Sequence, residues 1–204
     1  MSDVPQSSQV IRMTCYHTCK NRGDRESILG LVPFHSNNNK AQWLGAGYYL
    51  WTDSDHFAHK WGRDSYSDNY VITRFEITLN KDELLDLAGN TADQLDFNQH
   101  LEDYRKTMHQ AVEAGKMSRA MLSTVTVLTC IQHLKKAKLF PYRAVKAFDV
   151  PNDGLEMTRY ALDERKPEVL LTPTRQQIVV YPPEDVAKQI LGQPCWHFST
   201  DERK

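Results

Sequence analysis

The segment Leu44 to Trp61, LGAGYYLWTDSDHFAHKW, switches period halfway along. Its first half, GAGYYLW, sets a Gly-x-Gly turn ahead of aromatic and aliphatic residues, the composition of a strand entered through a tight turn. Its second half, continuing as TDSDHFAHKWG to Gly62, opens with capping side chains, puts Phe57, Ala58 and Trp61 on one helical face and offers Gly62 as a stop. Two tyrosines and a tryptophan behind a glycine turn present much flat surface, and what lies against it becomes the question.

Reading outward from that segment, VIRMTCYHTC from Val10 to Cys19 is rich in β-branched and aromatic residues and predicts a strand. GDRESILGL predicts a short helix with Asp24 as N-cap and Ile28, Leu29 and Leu31 as its apolar stripe, and PFHSNNNKAQ a loop. YVITRFEITL from Tyr70 to Leu79 alternates as a third strand, after which Asn80 and Glu83 form a capping box opening a helical turn over NKDELLDLAG. Leu101, Tyr104, Met108 and Val112 then recur at helical spacing, and Ala120 to Leu134 is apolar nearly all round, as a buried helix would be, with Met108 and Met121 filling the core. Strand character returns in YRAVKAFDV, LEMTRYAL and, most clearly, RQQIVVY from Arg175 to Tyr181. Pro183 starts a last helix, PEDVAKQIL, stopped by Gly192. Strands bracketing a helical centre give an α+β fold: one domain over residues 1–204, with a helical hairpin inserted at about 91–138.

Composition narrows the function classes. The 204 residues carry 25 Lys and Arg against 26 Asp and Glu, a net charge of −1, so no global field draws the chain to nucleic acid or anionic lipid. MSDVPQSSQ lacks the apolar core of a signal peptide and no run is long enough to span a bilayer, so the expectation is a soluble cytoplasmic protein without membrane association. Cys15, Cys19, Cys130 and Cys195 show no regular framework and read as free thiols. Cys15, His17 and Cys19 alternate as zinc ligands might, yet on a strand the two sulfurs stand about 13 Å apart at roughly 3.3 Å per residue, too far for one ion. No metal is expected.

His17 taken alone reads as a core-edge histidine with a satisfied hydrogen bond, and Tyr48 and Tyr49 as sheet residues facing opposite sides. Together, a strand histidine, a Gly-x-Gly turn, a tyrosine two residues later and a helix bearing Trp61 would form a slot for a flat ring. The ordered set YHTC with the helix ESILGL, GAGYYLW with AHKW, and RQQIVVY resembles the motifs of the ADP-ribosyltransferases of the diphtheria-toxin and poly(ADP-ribose) polymerase type. Those motifs are His-Gly-[Ser/Thr], Gly-x-Gly-[aliphatic]-Tyr-[Phe/Leu] and a late strand with Glu or a substitute.

The resemblance implies a split mixed or antiparallel sheet, with NAD as co-substrate and a single ADP-ribose unit passed to a macromolecular acceptor, protein or nucleic acid. It further implies that His17 binds the adenosine ribose and that the backbone at Thr18 grips the nicotinamide amide. Gly47 would let the dinucleotide approach, Tyr49 and Trp61 would sandwich the nicotinamide, and Gln177 stands in the glutamate position. Imidazole, phenol and carboxamide would then converge on one cleft. A neutral Gln177 accepts a hydrogen bond and takes up no proton, which disfavours chain elongation. Thr18 replaces a glycine and Tyr48 an aliphatic residue of the family pattern. Small members of this kind are often toxins or effectors held by a protein antitoxin or inhibitor. The other reading is a catalytically inactive module of the same fold that binds NAD, ADP-ribose or a partner.

Overall fold

The computed structural model describes residues 9–36, 42–149, 158–160, 168–170 and 174–203. In chain order the elements are β1 (Val10–Lys20), α1 (Arg25–Leu31), β2 (Tyr48–Thr52), α2 (His56–Tyr66), β3 (Tyr70–Asn80), β4 (Leu84–Asp86), α3 (Thr91–Glu113) and α4 (Val127–Lys136). There follow β5 (Ala144–Phe148), β6 (Thr158–Tyr160), β7 (Glu168–Leu170), β8 (Gln176–Val180), α5 (Glu184–Leu191) and β9 (Cys195–Ser199). The protein is α+β, built on a seven-stranded mixed sheet in the order β4-β5-β8-β2-β1-β3-β9, with β6 and β7 as a separate antiparallel pair. β4 and β5 run parallel, and the remaining pairs of the large sheet are antiparallel.

Alternation along the strands sorts the core into two faces. One face carries a continuous apolar cluster, with Leu50, Phe75, Ile77 and Ile178 from the strands meeting Ile28 of α1 and Ile190 of α5. The opposite face carries two clusters side by side. Val145 and Val179 pack under Phe97 of α3 and Ile131 and Leu134 of α4, while Trp51, Tyr70 and Ile72 pack under Ala58 of α2. The boundary between these two clusters falls along β2, whose Tyr49 joins the first and Trp51 the second.

Local chemistry sets most element ends. Asp24 caps α1 by accepting from the Ser27 N–H at 2.9 Å, and Asn80 with Glu83 forms the capping box expected of them. That box opens the short helical turn expected of it, a 3₁₀ turn over Lys81–Glu83, while Leu84 and Leu85 of the same stretch go into the sheet as β4 beside Ala144 and Val145. The run from Ala120 to Leu134 is not one buried helix. Arg119–Thr124 is a 3₁₀ segment, and Thr126 starts α4 afresh through a reciprocal bond with Thr129. Met108 is buried as core, but Met121 lies on that 3₁₀ segment and is 41% exposed.

Gly62 does not stop α2, which continues to Tyr66 and ends where Ser67 turns left-handed at φ 52°. A Cβ at Gly62 would lie 2.4 Å from the Tyr70 ring, so close packing against β3 requires the glycine there. The last helix ends as its sequence predicts, at Gly192 with φ +68°. Of the strand expected over Leu155 to Leu162, Thr158–Tyr160 is β6 and the rest lies outside the described residues. β9 was not anticipated; it adds an edge to β3 with a register shift between Ile72 and Thr73. Among the described residues, no helix is long and apolar enough to cross a membrane.

Candidate active site at the parting of two strands

The three segments singled out by sequence, which reach from His17 to Gln177, lie on neighbouring strands in the order β8-β2-β1. β2 pairs with β8 through Tyr49–Val179 and Trp51–Gln177. Directly paired residues share a face, so Tyr49, Trp51 and Gln177 all belong to the face roofed by α2 on one side and α3 and α4 on the other. Gln177 sits against Trp51 on one neighbour and Ala147 on the other and is partly exposed, on the floor between the two apolar clusters.

His17 is placed differently. Alternation puts it with Cys15 and Cys19, toward α1 and α5, and away from Tyr49 and Gln177. Imidazole, phenol and carboxamide therefore do not share one face. They are related through a seam: β1 pairs with β2 at Cys15–Thr52 and Tyr16–Trp51, and beyond that point the His17 ring reaches across to the neighbouring strand. Its Nδ1 lies 3.2 Å from the Tyr49 carbonyl, and the Phe34 N–H reaches its Nε2 at 3.3 Å. A carbonyl accepts and an N–H donates, which fixes a neutral ring protonated on Nδ1. Burial pushes its pKa down to about 4 against the opposing pull of the Tyr49 carbonyl. The histidine thus ties β1, β2 and the segment after α1 together, with both nitrogens on backbone groups.

Thr18 points to the other face and donates its hydroxyl to the Ala58 carbonyl at 2.9 Å, binding β1 to α2. The Tyr49 phenol turns back onto its own loop. It donates to the Gly45 carbonyl at 2.7 Å and accepts from the Leu44 N–H at 3.2 Å, and burial raises its pKa to about 12. Both glycines of the turn have structural causes. Gly45 has φ +99°, and a Cβ on Gly47 would stand 2.6 Å from Val179 Cγ2 and 2.7 Å from the Val180 carbonyl. The bare backbone of Gly47 is therefore filled by β8.

Trp61 is 40% exposed on α2, and the ring it approaches is Trp51, with centroids 6.3 Å apart. Trp51 in turn meets Phe57 at 6.0 Å. Over these two rings lies the Arg175 guanidinium, 5.5 Å from the Trp51 centroid and 6.0 Å from that of Phe57, in an ion pair with Asp149. The sequence reading placed Trp51 and Phe57 on a strand and a helix face without giving either a role at the site, and it missed Arg175 and Asp149. The spacing of Trp51 from Tyr49 and of Arg175 from Gln177, two residues in each case, was the available signal, since it assigns Tyr49, Trp51, Arg175 and Gln177 to one face of adjacent strands. Asp149 carried no such signal.

The chemistry on offer is orientation more than proton transfer. At neutral pH neither His17 nor Tyr49 changes charge, and a carboxamide binds a hydroxyl without accepting its proton. Among the described residues no group of three or more metal-ligating side chains comes together. No family model, no curated protein and no solved structure matches the chain.

Proposed function

We propose that the protein transfers a single ADP-ribose unit from NAD to a macromolecular acceptor, protein or nucleic acid. The observation that carries this reading is the adjacency of β8, β2 and β1: segments resembling the three ordered transferase motifs are neighbouring strands, and β1 and β2 part beside His17. On this reading the nicotinamide half of NAD lies on the floor formed by Tyr49, Trp51 and Gln177, and the adenosine half crosses the seam toward His17. The carbon–nitrogen bond to nicotinamide breaks with its electron pair passing to the ring nitrogen. The acceptor nucleophile then bonds to the ribose carbon and loses its proton to solvent. Gln177 orients the ribose hydroxyl through its amide oxygen, and the site works by holding the sugar in line. For Nε2 of His17 to meet a ribose hydroxyl, the Phe34 N–H must give up its bond. A role as an effector or toxin held by a protein inhibitor follows from the same resemblance.

Incubation with NAD tests the reading. Release of nicotinamide, together with an added ADP-ribosyl mass on cellular protein or RNA after expression, is the expected result. Tyr49→Ala is expected to weaken NAD binding, and Gln177→Ala to lower turnover more than affinity. Unchanged turnover in both variants rejects the assignment of these positions. The second reading, a module that binds NAD or ADP-ribose without turnover, is favoured by one specific observation: both nitrogens of His17 are already engaged by backbone groups. Ligand-dependent stabilisation without nicotinamide release would select it.

A further inference from the structure

Trp51, Phe57, Asp149 and Arg175 form an arrangement that the motifs do not account for. Trp51 is 5% exposed and Arg175 lies over its ring, so the arginine is the lid of an aromatic floor. The guanidinium and the Asp149 carboxylate are each 18% exposed, and β5 and β8 are joined at this point by a bond from the Asp149 N–H to the Arg175 carbonyl at 2.8 Å. Yet the Nε–H of Arg175 is buried and, among the described residues, without a hydrogen-bond partner. A buried donor left unmet is destabilising, because it has given up its bond to water. The guanidinium is therefore charge-balanced by Asp149 and held within cation–π distance of two rings, but its hydrogen bonding is incomplete. Those are the marks of an occupant fitted by shape and charge and not fully satisfied.

We infer that Trp51, Phe57 and Asp149 form a binding slot for a planar cation, which the Arg175 guanidinium fills until a cationic ring displaces it. Aromatic faces attract a cation through the ring quadrupole, and the carboxylate supplies the counter-charge. A positively charged pyridinium has the same flatness and the same charge as guanidinium. The identity of the ring rests on the transferase reading: oxidised nicotinamide in NAD is cationic, whereas the nicotinamide released by bond cleavage is neutral. Substrate then competes with Arg175 for the slot on equal electrostatic terms and product does not, so return of the arginine expels the leaving group. Arg175 acts here as a specificity-determining residue.

The test uses 1-methylnicotinamide, a pyridinium cation, and nicotinamide, its neutral counterpart, with tryptophan fluorescence and calorimetry on the full chain. The cation is expected to bind about tenfold more tightly than the neutral ring. Arg175→Gln, which opens the slot, is expected to tighten 1-methylnicotinamide binding by about tenfold and to let methylguanidinium bind and quench Trp51 where the wild type does not respond. Arg175→Lys, charged but not planar, should fall between the two. Equal affinity of wild type for the two rings, or weaker cation binding in a folded Arg175→Gln, overturns the inference. If Arg175→Gln does not fold, the wild-type comparison of cation and neutral ring still decides. Discrimination between the rings without nicotinamide release from NAD upholds the slot and removes the transferase reading; release without discrimination does the reverse.

Discussion

Along its β3 edge, β1 is laddered from Val10 to Lys20 against Asn80 to Tyr70. Along its β2 edge it is paired at Cys15–Thr52 and Tyr16–Trp51, after which a side chain takes over from the backbone. Both edges belong to one strand, with the same residues and the same apolar clusters above and below. The difference lies in what satisfies the polar backbone. On the closed edge each carbonyl meets an amide. On the open edge the Tyr49 carbonyl meets an imidazole, which holds the strands together there by one side-chain bond.

Perturbing each edge should separate stability from function. Phe75 pairs with Cys15 on the closed edge and is fully buried. Phe75→Ala is expected to cost about 3–5 kcal/mol in urea unfolding, the largest effect in the set.

On the open edge the effect depends on pH. The His17 imidazole titrates at about 4 in the folded chain against 6.5 when unfolded, so the unfolded state binds more protons between those values and stability rises with pH there. The contribution is intact above 6.5, is lost as pH falls toward 4 and is flat below. It amounts to roughly 3 kcal/mol. His17→Gln should remove that slope from the difference between wild-type and variant unfolding curves; parallel curves would show the ring to be exposed.

Tyr49→Phe deletes the hydroxyl that closes the Leu44–Gly45 turn, with an expected loss of about 1 kcal/mol in thermal unfolding. Trp61→Ala should cost no more than about 1 kcal/mol, because the ring is 40% exposed although it packs on Trp51 and bonds Tyr66. It should nevertheless lower NAD affinity by calorimetry if the exposed ring serves a ligand. Stability loss without affinity loss at Trp61 would turn the comparison around.

The sequence was most legible where a local signal acts alone. The Asp24 cap, the Asn80–Glu83 box, the β-branched and aromatic run of β1, the alternation of β3 and the strand character of β8 all depend on neighbours in the chain, and each formed. What escaped was decided across the chain. Gly62 looks like a helix stop until the Tyr70 ring is set against it. In the CWHFS stretch, Trp196 and Phe198 are spaced as if they shared one face, but this short edge strand pairs with a register shift that sends Trp196 to the α1 side and Phe198 to the α2 side. Thr126 breaks the helix expected through it because its hydroxyl meets the backbone of Thr129, a local bond that the surrounding apolar residues disguised. At the candidate site, alternation alone separates His17 from Tyr49 once the register of β1 against β2 is known, and that register is not written in either strand. The placement of Arg175 over Trp51 needed both strands and α2.

The absence of a side chain at Gly47 has a mechanical consequence. With Val179 and the Val180 carbonyl filling that space, β2 and β8 lock edge to edge and carry phenol and carboxamide as one plate, to which the His17 imidazole of β1 is riveted from the opposite face through the Tyr49 carbonyl. On the transferase reading, that rivet sets the distance between the two halves of the site, so a dinucleotide would be gauged by its span and held at both ends, like a workpiece in a caliper, only where its length matches.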